Sequence, residues 1–557
     1  MWWIVLSLLL LAPGEKQEDL LLKALKTEIK TEFDVLKANT PPVYYLAYRV
    51  EEEEIVYLEA TLGNISADNA YRTRMVAIQV RVGTPQLDNT HEIKGSGGFD
   101  FSRYARPEQL PLEDDVSVIR RELWRLTQRE FGKAVERYQK VTANETVMAK
   151  AEDQSADYTL EKPVMDIKPS KFIPIDKKQW AEIIKTVSQV FRSFPEIYKS
   201  GVYLQSERYT KYYIDSAGTI LKQPGSHLRL YISASTRSND GMPLFLHESF
   251  SGFSEKELPK EQILKETAQK LAEKLMVLKT APAVEPYLGP AIFSPKAAAV
   301  FFHEVLGHRL EGHRQKSEKE GQTFTKKLNE KIVPAFISIT DDPTQEYFQS
   351  KTLLGYYRYD DEGVKAQKTV LVENGILKGF LMSRSPIANF LASNGHGRGM
   401  IGTQPVSRQG NLIITAQATV PYAQLKEMLI EECKKQKKPY GLIFVDVSGG
   451  FTITGRSSAQ AFKVIPLEVY RIYTDGRPEE LVRGVDIVGT PLAALEKIQA
   501  ASNDSDIFNG FCGAESGYIP VSAVAPAVLV EEIEVEKKEK DMEKPPILSS
   551  PLSGGEK

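Results

Sequence analysis

Several residue types are scarce in this chain of 557 residues. It contains only two cysteines, Cys433 and Cys512, so at most one disulfide can form. The formal net charge is only -3, so no excess of one sign singles out nucleic acid as a partner. The hydrophobic content of 42% is that of an ordinary globular protein, and the length is sufficient for two or three domains.

The apolar run at the N-terminus, Trp2 to Ala12, is too short to span a membrane. Its length and the small residues that follow it predict a secretory signal peptide over residues 1–14, and hence a periplasmic or secreted protein. Because no positive charge precedes the run, a misassigned start or a buried first helix in a cytoplasmic protein is the alternative. No cysteine follows the run, so we expect no stable membrane anchor.

Histidine is also scarce, yet two of the seven histidines lie within one short motif, His303-Glu304-Val305-Leu306-Gly307-His308. Neutral imidazoles are good zinc ligands, and a carboxylate beside them can take a proton from water. This combination of residue types predicts a metal-dependent hydrolase.

A helix is expected to carry this motif, because Ser294 is a good N-cap and Pro295 suits the first helical position. On an ideal helix, His303 and His308 are about 140° apart, too far round to bind one ion. Gly307 permits a bulge of one residue, so we predict a π-bulge that brings the two imidazoles together.

The alternative is a regular helix on which Glu304, His308 and Glu311 form an ordinary polar face. A zinc site also needs a third protein ligand. Four residues are candidates for it: Glu311, His313, His396 and Cys512. Glycines beside Cys512 would allow its backbone to approach a metal closely.

The histidine motif and four further motifs occur in a fixed order between about Pro290 and Val535. The further motifs are Leu310-Glu311-Gly312, Asp361-Glu362-Gly363, Leu371-Val372-Glu373-Asn374-Gly375-Ile376-Leu377-Lys378-Gly379 and Phe511-Cys512-Gly513. In this order they resemble the TldD/PmbA family of metallopeptidases. The chain departs from the family at His313, where an acidic residue is usual, which leaves substrate preference open.

The resemblance implies a zinc ion held by His303, His308 and Cys512, with Glu304 as the general base that acts on water. It further implies hydrolysis of peptides or unstructured protein segments, in a homodimer or a heterodimer with a related metal-free subunit. A non-catalytic interaction or regulatory protein with a structural metal is one alternative, in line with the family's association with modulation of DNA gyrase. A small-molecule metalloamidase is the other.

The fold class expected is α+β, with a two-domain architecture like that of the TldD/PmbA family. We predict a mixed α/β N-terminal domain at 15–280, a mostly β C-terminal domain with the metal helix at 281–535, and a disordered tail at 536–557. Among the local predictions are a solvated turn at Glu51 to Glu54, a hairpin at Asn374-Gly375, and a helix from Thr490 to about Ala501.

Two segments are candidates for substrate contact. The stretch from Leu442 to Gly455 is β-rich and interrupted by Gly449 and Gly450, where a peptide could pair as a strand or a bulge could lie. A glycine-rich loop carries His396 and Arg398, which could bind an oxyanion or a substrate carboxylate. Finally, Cys433 is predicted to face solvent, with a disulfide to Cys512 as the alternative.

Overall fold

The computed structural model describes residues 18–95, 107–149, 152–170, 172, 174–457, 460–538, 548 and 550–553. The predicted signal peptide and most of the predicted tail lie outside these residues. No helix in the described ranges combines the length and the apolar character that crossing a membrane requires.

The first half of the described chain contains four helices and seven strands. In chain order they are α1 (Leu20–Leu36), β1 (Val43–Thr61), β2 (Asn64–Val82), β3 (Glu108–Gln109), α2 (Val116–Val147), β4 (Met165–Ile167), α3 (Lys177–Gln189), β5 (Lys199–Asp215), β6 (Ile220–Arg237), β7 (Pro243–Gly252) and α4 (Glu261–Thr280). The strands form one sheet, the N-terminal sheet, in the order β3-β2-β1-β5-β6-β4, with β7 paired only to β6. Asp19 and Asp115 cap the first two helices, because each carboxylate accepts backbone N–H bonds.

The two faces of the N-terminal sheet differ in chemistry. Alternate apolar side chains such as Leu58, Leu204 and Leu230 point to one face, where all four helices cover them. The opposite face carries charged and aromatic side chains, including Tyr231 and His247. This second face is turned toward the rest of the protein and forms walls of its cavities.

The predicted turn at Glu51 to Glu54 is wrong, because these residues lie in the middle of β1. Three of the four carboxylates, those of Glu51, Glu52 and Glu54, have a cation nearby. Lys211 on β5 lies 3.4 Å from Glu51, while Arg74 on β2 lies 3.2 Å from Glu52. Cross-strand ion pairs therefore stabilise a strand where the local sequence favoured a turn.

The second half of the described chain is mostly β. Its elements are β8 (Tyr287–Phe293), α5 (Pro295–Val305), α6 (His313–Lys316), β9 (Ile337–Asp341), β10 (Tyr347–Phe348), β11 (Lys351–Thr352), β12 (Thr369–Glu373), β13 (Ile376–Leu377), β14 (Gly397–Arg398), β15 (Val406–Ser407), β16 (Asn411–Ala416), α7 (Tyr422–Lys435), β17 (Tyr440–Thr452), β18 (Phe462–Tyr473), β19 (Glu480–Val482), β20 (Val485–Gly489), α8 (Pro491–Glu496), β21 (Ile498–Ala514) and β22 (Gly517–Lys537). The α+β class is thus confirmed.

Eleven strands of this half form one sheet, the C-terminal sheet. Because β8 pairs with both β17 and β22, the strands β22, β20, β18, β17 and β8 close into a ring. The apolar side of α5 packs against this ring, with the Phe301 side chain 4.6 Å from Phe293 and 5.7 Å from Phe462 between ring centroids. This packing holds the helix that carries the histidine motif.

Local predictions in this half have mixed outcomes. The hairpin at Asn374-Gly375 is confirmed, with φ values of 50° and 83° that its tight turn requires. The helix that starts at Pro491 ends at Glu496, not near Ala501, because a strand begins at Ile498 and pairs with β22. Likewise β22 continues to Lys537, two residues into the predicted tail.

Candidate metal centre

The helix α5 begins and carries the motif as the sequence predicts. Ser294 stands at its N-cap and Pro295 at its first position. His303 and Glu304 follow in the last turn, and both side chains are buried. The helix therefore delivers the first imidazole and the carboxylate into the interior of the protein.

The predicted π-bulge is wrong in form, and so is the regular helix considered beside it. The helix ends at Val305, Leu306 has φ −119° and ψ −50°, and a 3-10 turn spans Gly307–Leu310. This change of winding still brings the two imidazoles together, with ring centroids of His303 and His308 4.8 Å apart. A Cβ atom at Gly307 would overlap the amide group of Gln409, so the glycine allows this side chain to pack against the turn.

The third ligand comes from the far end of the sequence. Cys512 lies near the end of β21, and its Sγ atom is 3.3 Å from Nε2 of His308. One ligand atom each of His303, His308 and Cys512 lies within 4.8 Å of the other two. The four candidates for the third ligand thus reduce to Cys512.

Glu311 orients one of the two imidazoles. Its Oε1 atom is 3.1 Å from Nδ1 of His308, which leaves Nε2 to face Cys512. Its Oε2 atom accepts a 2.8 Å hydrogen bond from Nε of Arg314. Glu311 is fully buried, and His308 and Arg314 hold its pKa at about 2 although burial alone would raise it. It acts on the ring that carries the ligand atom, as carboxylates do for many metal-bound histidines.

Arg408 fixes the backbone on which Cys512 stands. Its Nη2 atom donates to the carbonyl oxygen of Cys512 at 2.8 Å, and its Nη1 atom donates to Oγ of Ser516 at 2.8 Å. The guanidinium is fully buried, and its Nε atom lies 3.6 Å from Glu311. One cation therefore links the carboxylate that orients His308 to the hairpin that carries the thiol.

The electrostatics of the three side chains favour a thiolate at Cys512 beside a protonated His308, whose proton a metal ion would displace on binding. Burial alone would raise the pKa of the Cys512 thiol, but the imidazoles of His308 and His303 hold it well below its ordinary value. Burial alone would lower the pKa of His308, whereas Cys512 and Glu311 raise it well above its ordinary value. Two imidazoles and a thiolate in a buried position are a donor set that zinc favours.

Glu304 stands beside this set without a partner of its own. Its Oε2 atom is buried, has no hydrogen-bond partner in the described residues, and lies 4.0 Å from Nε2 of His308. Burial raises the pKa of this carboxyl group. Burying a carboxylate oxygen without a hydrogen-bond partner costs free energy. The position of Glu304 therefore indicates that this oxygen binds a ligand or a water molecule.

The three ligand residues and Glu304 line a cavity of about 1120 Å³, the metal cavity, in the ranges described. Gly449 and Gly450 of β17, the predicted substrate-contact residues, line it too. A Cβ atom at Gly450 would lie 2.7 Å from Cγ of Glu304 and 2.8 Å from the carbonyl oxygen of Lys463. The glycine therefore leaves the space that the carboxylate occupies. Irregular pairing of β17 with β18 near Gly449 also confirms the predicted bulge.

Other candidate residues have different surroundings. His396 does not line the metal cavity and is fully buried, with Asn394 and Asp341 at its two ring nitrogens. Arg398 is buried too and lies outside the metal cavity, where it donates to the Gln409 carbonyl at 2.7 Å. His313 contacts Glu515 through Nε2 and is not in the ligand cluster.

Cys433 is wrongly predicted to face solvent. It is fully buried on α7, in a cluster with Leu425, Leu429 and Ile443, because α7 covers the outer side of the C-terminal sheet. Burial raises the pKa of its thiol to about 11. Both cysteines are free, so the alternative disulfide with Cys512 is absent.

Three charged residues near Glu311 belong to no motif by which the sequence could have predicted their place in the site. Arg314, Arg408 and Glu515 form the charged surroundings of Glu311, and Arg314 and Glu515 are 2.8 Å apart. Only the adjacency of Arg314 to the histidine motif could have suggested one of them. Their contacts join segments that lie far apart in the chain.

Comparisons with known proteins agree with this geometry. Residues 287–537 match a family described as "PmbA/TldA metallopeptidase C-terminal domain". A metalloprotease of Methanothermobacter thermautotrophicus is 30% identical over 322 residues, which are 57% of this chain and 65% of that relative. The chain thus matches less than two thirds of that relative's length. A zinc metalloprotease TldD homolog of Saccharolobus solfataricus is 26% identical over 357 residues, 64% of this chain and 75% of the relative.

Two solved structures share the fold. One is a protein of Thermotoga maritima described as a candidate modulator of a DNA gyrase, with a TM-score of 0.60 and 16% identity. The other is TldE of Thermococcus kodakarensis, with a TM-score of 0.59 and 14% identity. Each comparison covers 92% of this chain and 100% of the other chain.

Proposed function

Because this chain belongs to the TldD/PmbA family, we propose that it is a zinc-dependent peptidase acting on peptides or unstructured protein segments. One observation carries the proposal. The three ligand atoms of His303, His308 and Cys512 meet beside the buried, unpartnered Oε2 atom of Glu304, and all four side chains line one cavity. A hydrolase needs both parts, a ligand set for the ion and a base that is free to move a proton.

A zinc ion bound by these three residues would polarise the scissile carbonyl and lower the pKa of water. Glu304 accepts a proton from the attacking water, and its raised pKa makes it a better base than an exposed carboxylate. It then donates that proton to the nitrogen of the leaving amine. Glu311 holds the ring of His308, and Gly450 keeps open the space for the carboxylate.

Peptide recognition through the main chain is supported by a strand edge in the metal cavity. The strand β17 pairs with β18 along its whole length, but with β8 only at residues 442–444. Its remaining stretch, including Gly449 and Gly450, has no second neighbouring strand among the described residues, and it lines the cavity. An extended peptide that adds there is read by backbone hydrogen bonds, with loose side-chain preference.

The test compares wild-type protein with Glu304→Gln and, as a control from the same cavity, Glu248→Gln. Zinc content is measured by mass spectrometry, and cleavage is measured on casein and on small amides. We expect all three proteins to hold zinc, with casein cleavage reduced roughly 100-fold or more only in Glu304→Gln. Equal cleavage by Glu304→Gln and wild type would refute the role of Glu304. Zinc binding without any cleavage by wild type would favour a structural metal.

Assembly and location complete the proposal. We infer a homodimer, or a pair with a related metal-free subunit, in the periplasm or outside the cell. Light scattering of the purified protein gives the mass of the homomeric form, and affinity capture from the native cell identifies a second subunit. N-terminal sequencing of the exported protein tests cleavage near residue 14.

A further inference from the structure

Arg229 lies on the wall of the metal cavity formed by the N-terminal sheet. Its guanidinium carbon is 5.3 Å from the ring centroid of Tyr231 and 5.8 Å from that of Phe511. Phe511 directly precedes the ligand Cys512 in β21. Two aromatic contacts thus hold the cation close to the strand that carries the thiol.

The other partly or fully buried cations of this cavity have carboxylate partners. The two pairs, with their distances, are Lys296 with Asp446 at 2.8 Å and Arg314 with Glu515 at 2.8 Å, and the exposed Lys351 pairs with Asp506 at 2.5 Å as well. Arg229 has neither a carboxylate nor a hydrogen-bond acceptor within reach in the part of the chain that the structure describes. Lys256 has no such partner there either, but it is exposed and solvated.

A partly buried guanidinium that makes no hydrogen bond to the described part of the protein keeps its N–H donors available to a ligand. Its planar fork of N–H donors matches the two oxygens of a carboxylate. A single neutral hydrogen-bond acceptor, such as a carbonyl oxygen, would pair with only some of the N–H donors of this guanidinium. The chemistry of the site therefore calls for a carboxylate that arrives with the ligand.

We propose that Arg229 binds a carboxylate of the peptide substrate. This inference rests on the proposed function, since it takes the metal cavity as the peptide site. The carboxylate belongs either to the peptide C-terminus or to an Asp or Glu side chain. Both sources present the same planar anion, and the experiment separates them.

The test measures binding, not cleavage. Zinc-loaded Glu304→Gln protein is titrated against a short fluorescent peptide of Ala, Ser and Tyr residues, and polarisation gives the Kd. The peptide is made with a free or an amidated C-terminus, and with Asp or Asn at one internal position. Adding Arg229→Gln should raise the Kd about 10-fold for the peptides whose carboxylate Arg229 contacts. The Kd of the corresponding peptide with an amidated C-terminus or with Asn should not change.

Two matched variants sharpen the result. Arg229→Lys keeps the charge but loses the planar fork, so binding should fall between that of the arginine and glutamine proteins. Lys256→Met removes a cation from the same cavity and should change Kd little, because exposed charges are screened. Thermal melting checks that each variant is folded.

The inference fails if Arg229→Gln weakens the amidated and Asn peptides as much as the acidic ones, or if Lys256→Met has an equal effect. It also fails if no carboxylate peptide binds. If acidic peptides bind through Arg229 but wild-type protein cleaves none of them, the proposed function is wrong while Arg229 keeps its role. If wild-type protein cleaves peptides equally well with and without a carboxylate, the proposed function stands and the role of Arg229 is wrong.

Discussion

The Sγ atom of Cys512 lies 3.3 Å from Nε2 of His308, although 204 positions separate the two residues in the chain. The distance depends on two supports. Glu311 turns the imidazole so that Nε2 faces the thiol, and Arg408 holds the carbonyl group of Cys512. The candidate metal centre therefore joins the end of α5 to the β21–β22 hairpin, and binding of a metal there would stabilise the contact between them.

Replacing Cys512 with serine should empty the metal site. A hydroxyl is a much poorer zinc ligand than a thiolate, so the zinc content should fall from about one ion per chain to a small fraction of that. Cys433→Ala is the control, because Cys433 is buried on the sheet-facing side of α7 and lies outside the ligand cluster. It should retain zinc. Loss of zinc from both variants to the same extent would show that general destabilisation is the cause.

Glu311→Gln should weaken zinc binding about 10- to 100-fold, because the amide loses the charge that orients His308. Competition with a chelator measures the affinity. Glu320→Gln is a matched control, since Glu320 also accepts a hydrogen bond from Arg314, at 2.9 Å, but does not touch His308. An unchanged affinity in Glu311→Gln would contradict the orienting role.

Gly450→Ala should reduce kcat about 10- to 100-fold while the zinc content stays the same. The added methyl group would meet Cγ of Glu304 at 2.7 Å and must displace this carboxylate. Gly455→Ala provides the comparison, because a Cβ atom there has no heavy atom within 4 Å among the described residues. Equal activity of the two variants would mean that Glu304 adjusts without cost.

Stability should depend on pH through Glu207, on the cavity-facing side of the N-terminal sheet. Burial and the nearby Glu53 raise its pKa to about 7. The folded protein thus retains a proton that the unfolded chain releases near pH 4.5. The resulting stability is complete below the unfolded pKa and is lost as the pH rises through 7.

Glu207→Gln removes this titration. It should therefore raise the free energy of unfolding at pH 8 by about 1–2 kcal/mol relative to wild type, and change it little at pH 4. Chemical denaturation at both pH values measures the difference. The control is Glu54→Gln, because Glu54 pairs with Arg208 and should show no gain at pH 8. A gain for Glu207→Gln of the same size at both pH values would disprove the linkage.

The sequence predicts those elements that depend on residues close together in the chain. The start of α5 is set by Ser294 and Pro295, and the hairpin at residues 374–375 by the asparagine-glycine pair, because capping and positive φ depend on the residues themselves. The two imidazoles and the carboxylate of the histidine motif follow from the sequence as well, whereas the residue chemistry alone left four candidates for the third ligand. The resemblance to a family of metallopeptidases supplied the link between the histidines and Cys512.

The tertiary structure decided what depends on partners far away in the chain. Glu51, Glu52 and Glu54 lie in a strand where cations on β2 and β5 pair with them. Cys433 is buried because α7 lies on a sheet whose apolar face the local sequence does not reveal. The helix ends after Val305 where Gln409 packs against Gly307, and Arg229 meets Phe511 only in the folded protein. A residue's chemistry is encoded locally, but its burial and its charged neighbours arise from long-range packing, which a single sequence does not specify position by position.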